Sequence, residues 1–194
     1  MVAILDSGAR REFETGAVRD IADGKGRVDL LPLAVIGEYY NDTVLLELGR
    51  FVETGNLHCL WKAFDDFVDR RYEGDIWTAL LELSIHYEQG AKKYSDRNWE
   101  KGMPVHCFVD SAGRHYMKYM RGDMDEPHDR AFLWNVAGAV WMTKNHPEMA
   151  DLPFKEKERN DGNEPSKTED NRAKMRFPTR RRRMTYSEYF ERRD

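Results

Sequence analysis

Hydrophobic residues recur at helical spacing along most of the first 145 positions of the chain. Turn and cap residues such as glycine, proline, asparagine and aspartate separate the periodic segments. Asn56 and Asp75 are the predicted N-caps of the second and third helices. The pattern predicts five helices, in the stretches 32–54, 57–72, 76–89, 105–121 and 131–142. The last stretch, AFLWNVAGAVWM, is apolar on nearly every face except at Asn135. A helix of this kind is typical of the centre of a domain.

No segment shows the alternation of a half-buried strand, so the fold class is predicted to be all-α, a bundle of about five helices. Residues 1–31 are rich in glycine and have no clear period, which predicts an ordered N-terminal arm. From Asp151 the chain is charged and nearly free of apolar residues, which predicts a flexible polar tail. We therefore divide the chain into a helical domain, 1–150, and a tail, 151–194, which carries a basic run at Arg180–Arg183 and a short terminal helix.

Charge is distributed unevenly between these two parts. Residues 1–150 hold 18 Lys and Arg against 25 Asp and Glu, whereas residues 151–194 hold 13 against 10. An acidic body argues against duplex nucleic acid as its partner, because phosphate binding needs clustered cations. The 12-residue apolar stretch is too short to cross a bilayer, which takes about 20 residues. With two cysteines and no visible secretory signal, the expected location is the cytoplasm.

Carboxylates crowd the start of the predicted central helix. Asp125, Glu126 and Asp129 precede or begin it, and Asp110 lies on the helix before. A helix N-terminus stabilises one or two carboxylates, but four that converge repel each other unless a cation intervenes. A divalent metal would resolve this conflict. Mg²⁺ is the natural candidate, since it prefers carboxylate and phosphate oxygens.

The connection between the third and fourth helices combines cations with aromatics. Lys92, Lys93, Arg97 and Lys101 alternate with Tyr94 and Trp99 in GAKKYSDRNWEKG. This composition suits a ligand with a flat ring and phosphates, or a loop anchored by its own aromatic side chains. Simpler interpretations exist for other residues too. The Asp110–Arg114 spacing is common in surface salt bridges, and an isolated histidine such as His115 is more often a core residue than a ligand.

Four ordered blocks resemble a known family. The blocks are TGAVRDIADGKGRVDLLP, YEQGAKKYSDRNWEKGMP, DSAGRHYMKYMRGDMDEPH and the pair WN. Together they are similar to the phage-encoded dATP/dGTP diphosphohydrolase domain, which is akin to the all-helical MazG-like nucleotide pyrophosphohydrolases. The resemblance covers roughly residues 10–145, and the segment 36–76 looks like an insertion. MazG-like enzymes commonly carry E-x-x-E on one helix and E-x-x-D on the next. Glu126-x-x-Asp129 matches the second motif, whereas Glu82 and Glu88 are six apart and do not match the first.

The resemblance implies hydrolysis of a purine deoxynucleoside triphosphate, dGTP or dATP, to the monophosphate and pyrophosphate. It implies Mg²⁺, which Mn²⁺ can replace, held by carboxylates on helices, and a homo-oligomer. The chemistry of the residues themselves supplies the candidates for these roles. The predicted metal ligands are Glu88, Asp110, Asp125, Glu126 and Asp129, of which Glu88, Asp110 and Glu126 would also be catalytic. The residues predicted to contact the substrate are Lys25, Arg27, Lys92, Arg97, Asn98, Arg114, His115, His128 and Asn135.

Two other functions remain open from the sequence. His128-Asp129 is an HD dipeptide in a helical protein, which is compatible with an HD-type triphosphohydrolase that releases inorganic triphosphate instead of pyrophosphate. A catalytically silent nucleotide sensor or a scaffold protein is the other alternative. Product analysis separates the diphosphohydrolase from the HD-type triphosphohydrolase, because the first releases pyrophosphate and the second inorganic triphosphate. Nucleotide binding without Mg²⁺-dependent turnover would identify the silent sensor.

Overall fold

A computed structural model describes residues 8–154 of the chain, and within them six α-helices predominate. The helices are α1 Leu33–Tyr40, α2 Thr43–Thr54, α3 Leu57–Tyr72, α4 Ile76–Tyr94, α5 Val105–Arg121 and α6 His128–Asn145. A two-stranded antiparallel hairpin precedes them, made of β1 Arg10–Glu12 and β2 Val18–Asp20. Short 3₁₀ helices lie at Val28–Leu30, Asn98–Lys101 and Pro147–Met149. The all-α fold class is confirmed, with one helix more than expected.

Helix α6 lies at the centre of the bundle, as its apolar composition predicts. Eleven of its 18 residues are buried, and it packs against α3, α4 and α5. Phe132 of α6 meets Phe67 of α3 with ring centroids 4.4 Å apart, and both side chains are fully buried. The helix begins three residues earlier than predicted, so His128 and Asp129 form its first turn.

The first predicted helix is in fact two helices. Asn41 adopts a left-handed conformation (φ 53°), which asparagine tolerates, and it ends α1. The side chain of Asp42 then accepts a hydrogen bond from the Leu45 amide and begins α2. The two helices cross at their glycines. A Cβ on Gly49 would lie 2.0 Å from the Ala34 nitrogen, and one on Gly37 would lie 2.2 Å from the Leu46 nitrogen.

The predicted caps of the next two helices are confirmed. Asn56 accepts from the His58 amide at the start of α3, and Asp75 accepts from the Thr78 amide at the start of α4. Helix α4 continues through Gly90 to Tyr94, five residues beyond its predicted end. A glycine inside a helix destabilises it by only about 1 kcal/mol, which the packing of the preceding turns can offset.

The hairpin is an element that the sequence did not predict. Its strands have three residues each, which is too short for alternation to be recognised. On the side of β2 away from β1, the amide of Asn98 replaces a neighbouring strand. It donates to the Val18 carbonyl at 2.7 Å and accepts from the Val18 amide at 2.9 Å.

The first residues assigned to the tail contact the helical body. Asp151 accepts a hydrogen bond from the His106 amide in the first turn of α5, and Leu152 is buried in the core. Phe154 packs on Phe51 with ring centroids 5.6 Å apart. Arg180–Arg183 and the predicted terminal helix lie outside the described residues, and the domain division remains a prediction.

No helix in the described region is long and apolar enough to cross a membrane. The homo-oligomer remains a prediction as well. The chain's own helices cover α6, so its burial does not require a second copy. Trp77 and Leu81, one turn apart on α4, are nevertheless 66% and 69% exposed.

We expect Gly49→Ala to lower the free energy of unfolding by about 1–3 kcal/mol, because the new methyl group would meet the backbone of α1. Gly90→Ala is the matched control. A Cβ there meets no atom within 4 Å, so the substitution should stabilise the protein by about 0.5–1 kcal/mol. Urea denaturation measures both values. Equal effects of the two substitutions would contradict the close crossing of α1 and α2.

Candidate functional site

A cavity of about 1260 Å³ lies between the N-terminal segment 11–27, helices α4, α5 and α6, and the turn that follows α4. Ligand pockets typically have volumes of about 300–1,000 Å³, so this cavity has room for a nucleotide. Its wall combines charged side chains with aromatic ones. The aromatic residues that line it are Phe13, Tyr87, Tyr94, Trp99 and Trp134.

The carboxylate of Asp110 holds the segment 24–28 against α5. One of its oxygens accepts from the Val28 amide at 2.8 Å, and the other accepts from Arg114 at 2.7 Å. Arg114 also donates to the Gly26 carbonyl at 3.1 Å. Val28 rests directly on Gly113, where a Cβ would lie 2.4 Å from a Val28 methyl group. The Asp110–Arg114 pair is therefore a buried clamp and not a plain surface salt bridge.

The two asparagines predicted to contact substrate already make hydrogen bonds within the protein. Asn98 pairs with the Val18 backbone, as described above. Asn135 accepts from Arg19 Nη2 at 2.5 Å and donates to the Ala131 carbonyl at 2.7 Å. Both line the cavity, but their bonds hold strand β2 and Arg19 in place. In this structure they act as positioning residues.

The five carboxylates predicted as metal ligands do not come together. Glu88, Asp110 and Glu126 line the cavity, whereas Asp125 and Asp129 do not. Asp129 accepts from Arg71 Nε at 2.9 Å, on the side of α3. Glu88 is exposed and forms an ion pair with Lys92.

Lys118 and His128 neutralise Asp125. Lys118 donates to one of its oxygens at 2.9 Å, and His128 contacts the other at 2.7 Å. The hydrogen bond from Lys118, followed by the one from His128, lowers the pKa of Asp125 to about 2 although burial opposes this shift. Because four of the five predicted ligands have basic partners, no electrostatic conflict is left among them for a carboxylate-bound Mg²⁺ to resolve. The predicted set does not fit that ion.

Most of the predicted basic residues line the cavity. Lys25, Arg27, Arg97, Arg114 and His115 do so, whereas Lys92 and His128 are not among its lining residues. Arg27 forms two hydrogen bonds with Asp29, and Arg97 pairs with Glu100 at 2.7 Å. Lys25 has no ion-pair partner among residues 8–154.

Histidines 115 and 128 meet Glu126 at the end of the cavity near the start of α6. The two Nδ1 atoms are 3.0 Å apart, and each lies 3.6 Å from the same oxygen of Glu126. Burial, followed by the neighbouring His128, lowers the pKa of His115 well below its usual value. The ring of His115 is therefore neutral at physiological pH.

Arg19 and His86, which are not among the predicted site residues, also form the wall. Arg19 lies over the rings of Phe108 and Trp134, with its guanidinium carbon 5.1 and 5.5 Å from their centroids. Its Nη1 atom is buried and has no hydrogen-bond partner among the described residues. His86 faces Trp134, and burial lowers its pKa to about 4. Glu82 and His86 are four positions apart, which places them on the same face of α4, and this spacing is a sequence signal that could have pointed to His86.

The sequence favours a small core residue at Cys107, but the structure leaves it partly exposed and beside charged groups. It lines the cavity, with Arg11 Nη2 3.0 Å and His106 Nε2 3.3 Å from its sulfur. Burial raises the pKa of the thiol, but His106 together with Arg19 and Arg11 outweighs it, so the pKa is lowered. Cys107 in turn raises the pKa of His106 to about 9, with a further contribution from Asp151.

A family model described as dATP/dGTP diphosphohydrolase, N-terminal, matches residues 68–152. The match covers less than half of the 194-residue chain, and it shows that this segment is similar to that family. It comprises the end of α3 and all of α4, α5 and α6, so it supplies the helical wall of the cavity and the His115–Glu126–His128 group. No curated protein and no solved structure gives a significant match to the chain.

The segment that matches the family model does not close the cavity by itself. The hairpin and the glycine-rich loop, which contribute Arg19 and Lys25, lie before residue 68. They reach the family segment through the bonds of Asp110, Asn98 and Asn135. The arm is therefore structurally part of the site.

We expect Asp110→Ala to release the arm from α5, because the Val28 amide and Arg114 both lose their acceptor. Hydrogen exchange followed by mass spectrometry should show faster exchange in peptides covering residues 18–31. Removing one partner of a buried pair typically destabilises a protein by about 3–5 kcal/mol, so the melting temperature should fall as well.

Asp66→Ala is the control for this experiment, since Asp66 pairs with Lys62 on α3 and does not line the cavity. It should leave exchange of residues 18–31 unchanged. Unchanged exchange in Asp110→Ala would show that Asn98 and the remaining contacts are sufficient to hold the arm.

Proposed function

We propose that this protein hydrolyses a purine deoxynucleoside triphosphate, dGTP or dATP, to the monophosphate and pyrophosphate. The observation that carries the proposal is that the dATP/dGTP diphosphohydrolase segment forms three helical walls of a nucleotide-sized cavity. Water would attack the α-phosphorus, and the bond to the oxygen bridging to the β-phosphorus would break. Pyrophosphate is then the leaving group.

The charge of the cavity supports a role for a cation that accompanies the triphosphate. Seven acidic and seven basic side chains line it, not counting histidines. The acids are Asp20, Asp23, Glu88, Asp96, Glu100, Asp110 and Glu126, and the bases are Arg11, Arg19, Lys25, Arg27, Arg97, Arg114 and Lys118. Because these charges cancel, a triphosphate needs counter-charge of its own. We propose that Mg²⁺, or Mn²⁺ in its place, enters bound to the phosphates as part of the substrate.

Lys25 is the best placed residue to bind the phosphate end. It lies between Gly24 and Gly26, both at positive φ, in a loop whose backbone is fixed to Asp110 and Arg114 only at its C-terminal end. Since it has no ion-pair partner within residues 8–154, its charge is available to the ligand. Arg97 reaches the cavity as well, although Glu100 partly neutralises it.

Glu126 is the strongest candidate for the carboxylate that handles the attacking water. Of the three predicted catalytic acids, Asp110 accepts a hydrogen bond from the Val28 amide of the arm, and the exposed Glu88 forms an ion pair with Lys92. Glu126 lines the cavity, is 16% exposed, and has its nearest basic nitrogen outside the histidines at 4.0 Å, on Lys118. A carboxylate without a hydrogen-bonded cation can accept a proton from the attacking water or bind a metal ion that carries that water.

The HD-type alternative is not favoured by the geometry. In the dipeptide His128-Asp129, the aspartate accepts from Arg71 and does not line the cavity, whereas the histidine faces Glu126. The two residues therefore do not share a site.

The first test is a screen of all deoxy- and ribonucleoside triphosphates with and without Mg²⁺, with the products separated by ion exchange. We expect dGTP or dATP to give the monophosphate and pyrophosphate in equal amounts. Inorganic triphosphate as the product would support the HD-type reaction instead. Nucleotide binding without turnover would identify a sensor and overturn the proposed hydrolysis.

Lys25→Ala and Lys92→Ala form a matched pair for locating the phosphates. A hydrogen bond to a charged group contributes about 1.5–3 kcal/mol, so Lys25→Ala should lower kcat/KM at least about tenfold. Lys92 pairs with the exposed Glu88 and does not itself line the cavity, so its replacement should change kcat/KM less than about twofold. The reverse order of effects would move the phosphate site from the glycine-rich loop to the end of α4.

A further inference from the structure

Three metal-ligating groups from consecutive elements meet at the α5–α6 corner of the cavity. His115 lies in the middle of α5, Glu126 in the connection, and His128 is the first residue of α6. Only one of the predicted carboxylate ligands, Glu126, belongs to this group. The side chains of His115 and Glu126 are each 16% exposed and that of His128 is 1% exposed, so the group is nearly shielded from bulk water.

We propose that His115 Nδ1, His128 Nδ1 and Glu126 Oε1 bind one divalent transition-metal ion, with Zn²⁺ as the best-fitting ion. The three atoms are separated by 3.0, 3.6 and 3.6 Å, so a point equidistant from them lies about 2.0 Å from each. That distance equals the length of a bond from zinc to imidazole nitrogen or carboxylate oxygen. The ligand atoms therefore need little movement to bind the ion.

The nature of the ligands selects the metal. Imidazole nitrogen suits zinc and its transition-metal neighbours, whereas Mg²⁺ prefers an all-oxygen environment. Two histidines and one glutamate leave a fourth position open. Sites with three protein ligands and an open position are typical of catalytic rather than structural zinc. His115 and Glu126 line the cavity, so that position is accessible from it.

Asp125 prepares His128 to act as a ligand. The carboxylate of Asp125 is 2.7 Å from His128 Nε2, which must carry the proton of this hydrogen bond. In a neutral ring the proton on Nε2 leaves Nδ1 with a free electron pair. A carboxylate that holds the far nitrogen of a histidine is a common feature of metal sites. Lys118 binds the other oxygen of Asp125 and so lies beside the group without occupying its centre.

A second group, Asp123, Asp125 and His128, is less suitable. Asp123 is bound by Arg121 and Asp125 by Lys118, so a metal ion would have to displace two cations. In the first group, the alternative to a metal is a proton on His115 Nδ1 that is donated to His128 Nδ1. A metal-bound group and a pair of hydrogen-bonded histidines are distinguished by metal binding, which the following experiment measures.

The experiment uses the full chain without an affinity tag, freed of metal by dialysis against a chelator. Co²⁺ is titrated into the protein, and the visible absorption of the bound ion is recorded before Zn²⁺ is added in competition. We expect one Co²⁺ per chain, an intense spectrum of low coordination number, and its loss on addition of one equivalent of Zn²⁺. Zn²⁺ alone should raise the melting temperature, since it binds the folded state.

Variants assign the ligands. His115→Gln and Glu126→Gln should each weaken Zn²⁺ binding at least about a hundredfold and abolish the rise in melting temperature. Asp125→Asn should weaken binding about 10–100-fold while keeping the cobalt spectrum, because it acts through His128. His146→Gln is the matched control, since His146 contacts Glu148 outside the cavity. It should bind Zn²⁺ like the unmodified protein.

Binding of Co²⁺ and Zn²⁺ that is equally tight in the unmodified protein and in His115→Gln and Glu126→Gln would overturn the proposal, as would no binding at all. Circular dichroism confirms that each variant is folded, and Glu126→Gln preserves the size of the side chain. These measurements contain no nucleotide. A failure of the proposed hydrolysis therefore leaves the metal result intact, and a failure of metal binding leaves the nucleotide screen intact.

Discussion

The carboxylate of Asp110 connects the two parts that enclose the cavity. It is buried on α5, and it receives one hydrogen bond from the arm and one from Arg114, which itself reaches back to the arm. A buried carboxylate with both oxygens satisfied is stable, whereas one left unpaired would be strongly destabilising. Asp110 and Arg114 therefore hold the loop that carries Lys25 against α5. Arg19 is held by Asn135, and its strand by Asn98.

Pairing of charges also explains the character of the site. Most acids of the cavity are balanced by a nearby base, so the pocket is polar but not strongly charged. Three groups of the wall that lack a hydrogen-bonded charged partner are informative. Lys25 has no ion-pair partner among the described residues, the Nη1 atom of Arg19 has no hydrogen-bond partner there, and Glu126 faces two histidines. These groups lie where a phosphate, a polar ligand atom and a metal ion respectively would provide the missing interaction.

The helices and their caps followed from the sequence with good accuracy. Asn56 and Asp75 cap α3 and α4, and the apolar stretch around Phe132 forms the buried central helix. Local rules were sufficient because a cap and a periodic face each involve residues within a few positions. The same rules failed at Asn41, where a single left-handed residue reverses the chain. They also failed at the hairpin, whose strand β2 is held by Asn98, about 80 positions away.

The candidate site shows the same contrast between what local sequence patterns predict and what contacts between distant residues decide. The sequence by itself determined that the chain is helical, that its family segment carries acids and histidines around the start of α6, and that Lys25, Arg97 and Glu126 are candidates for chemistry. Only the tertiary structure decided which of them meet. In the folded chain, Asp129 accepts a hydrogen bond from Arg71, and Asp110 accepts one from the arm. The Nδ1 atoms of His115 and His128 lie 3.0 Å apart. The physical reason is that packing decides which base lies beside a carboxylate. For Asp129 that base is Arg71, which lies on another helix and is 58 positions away in the sequence.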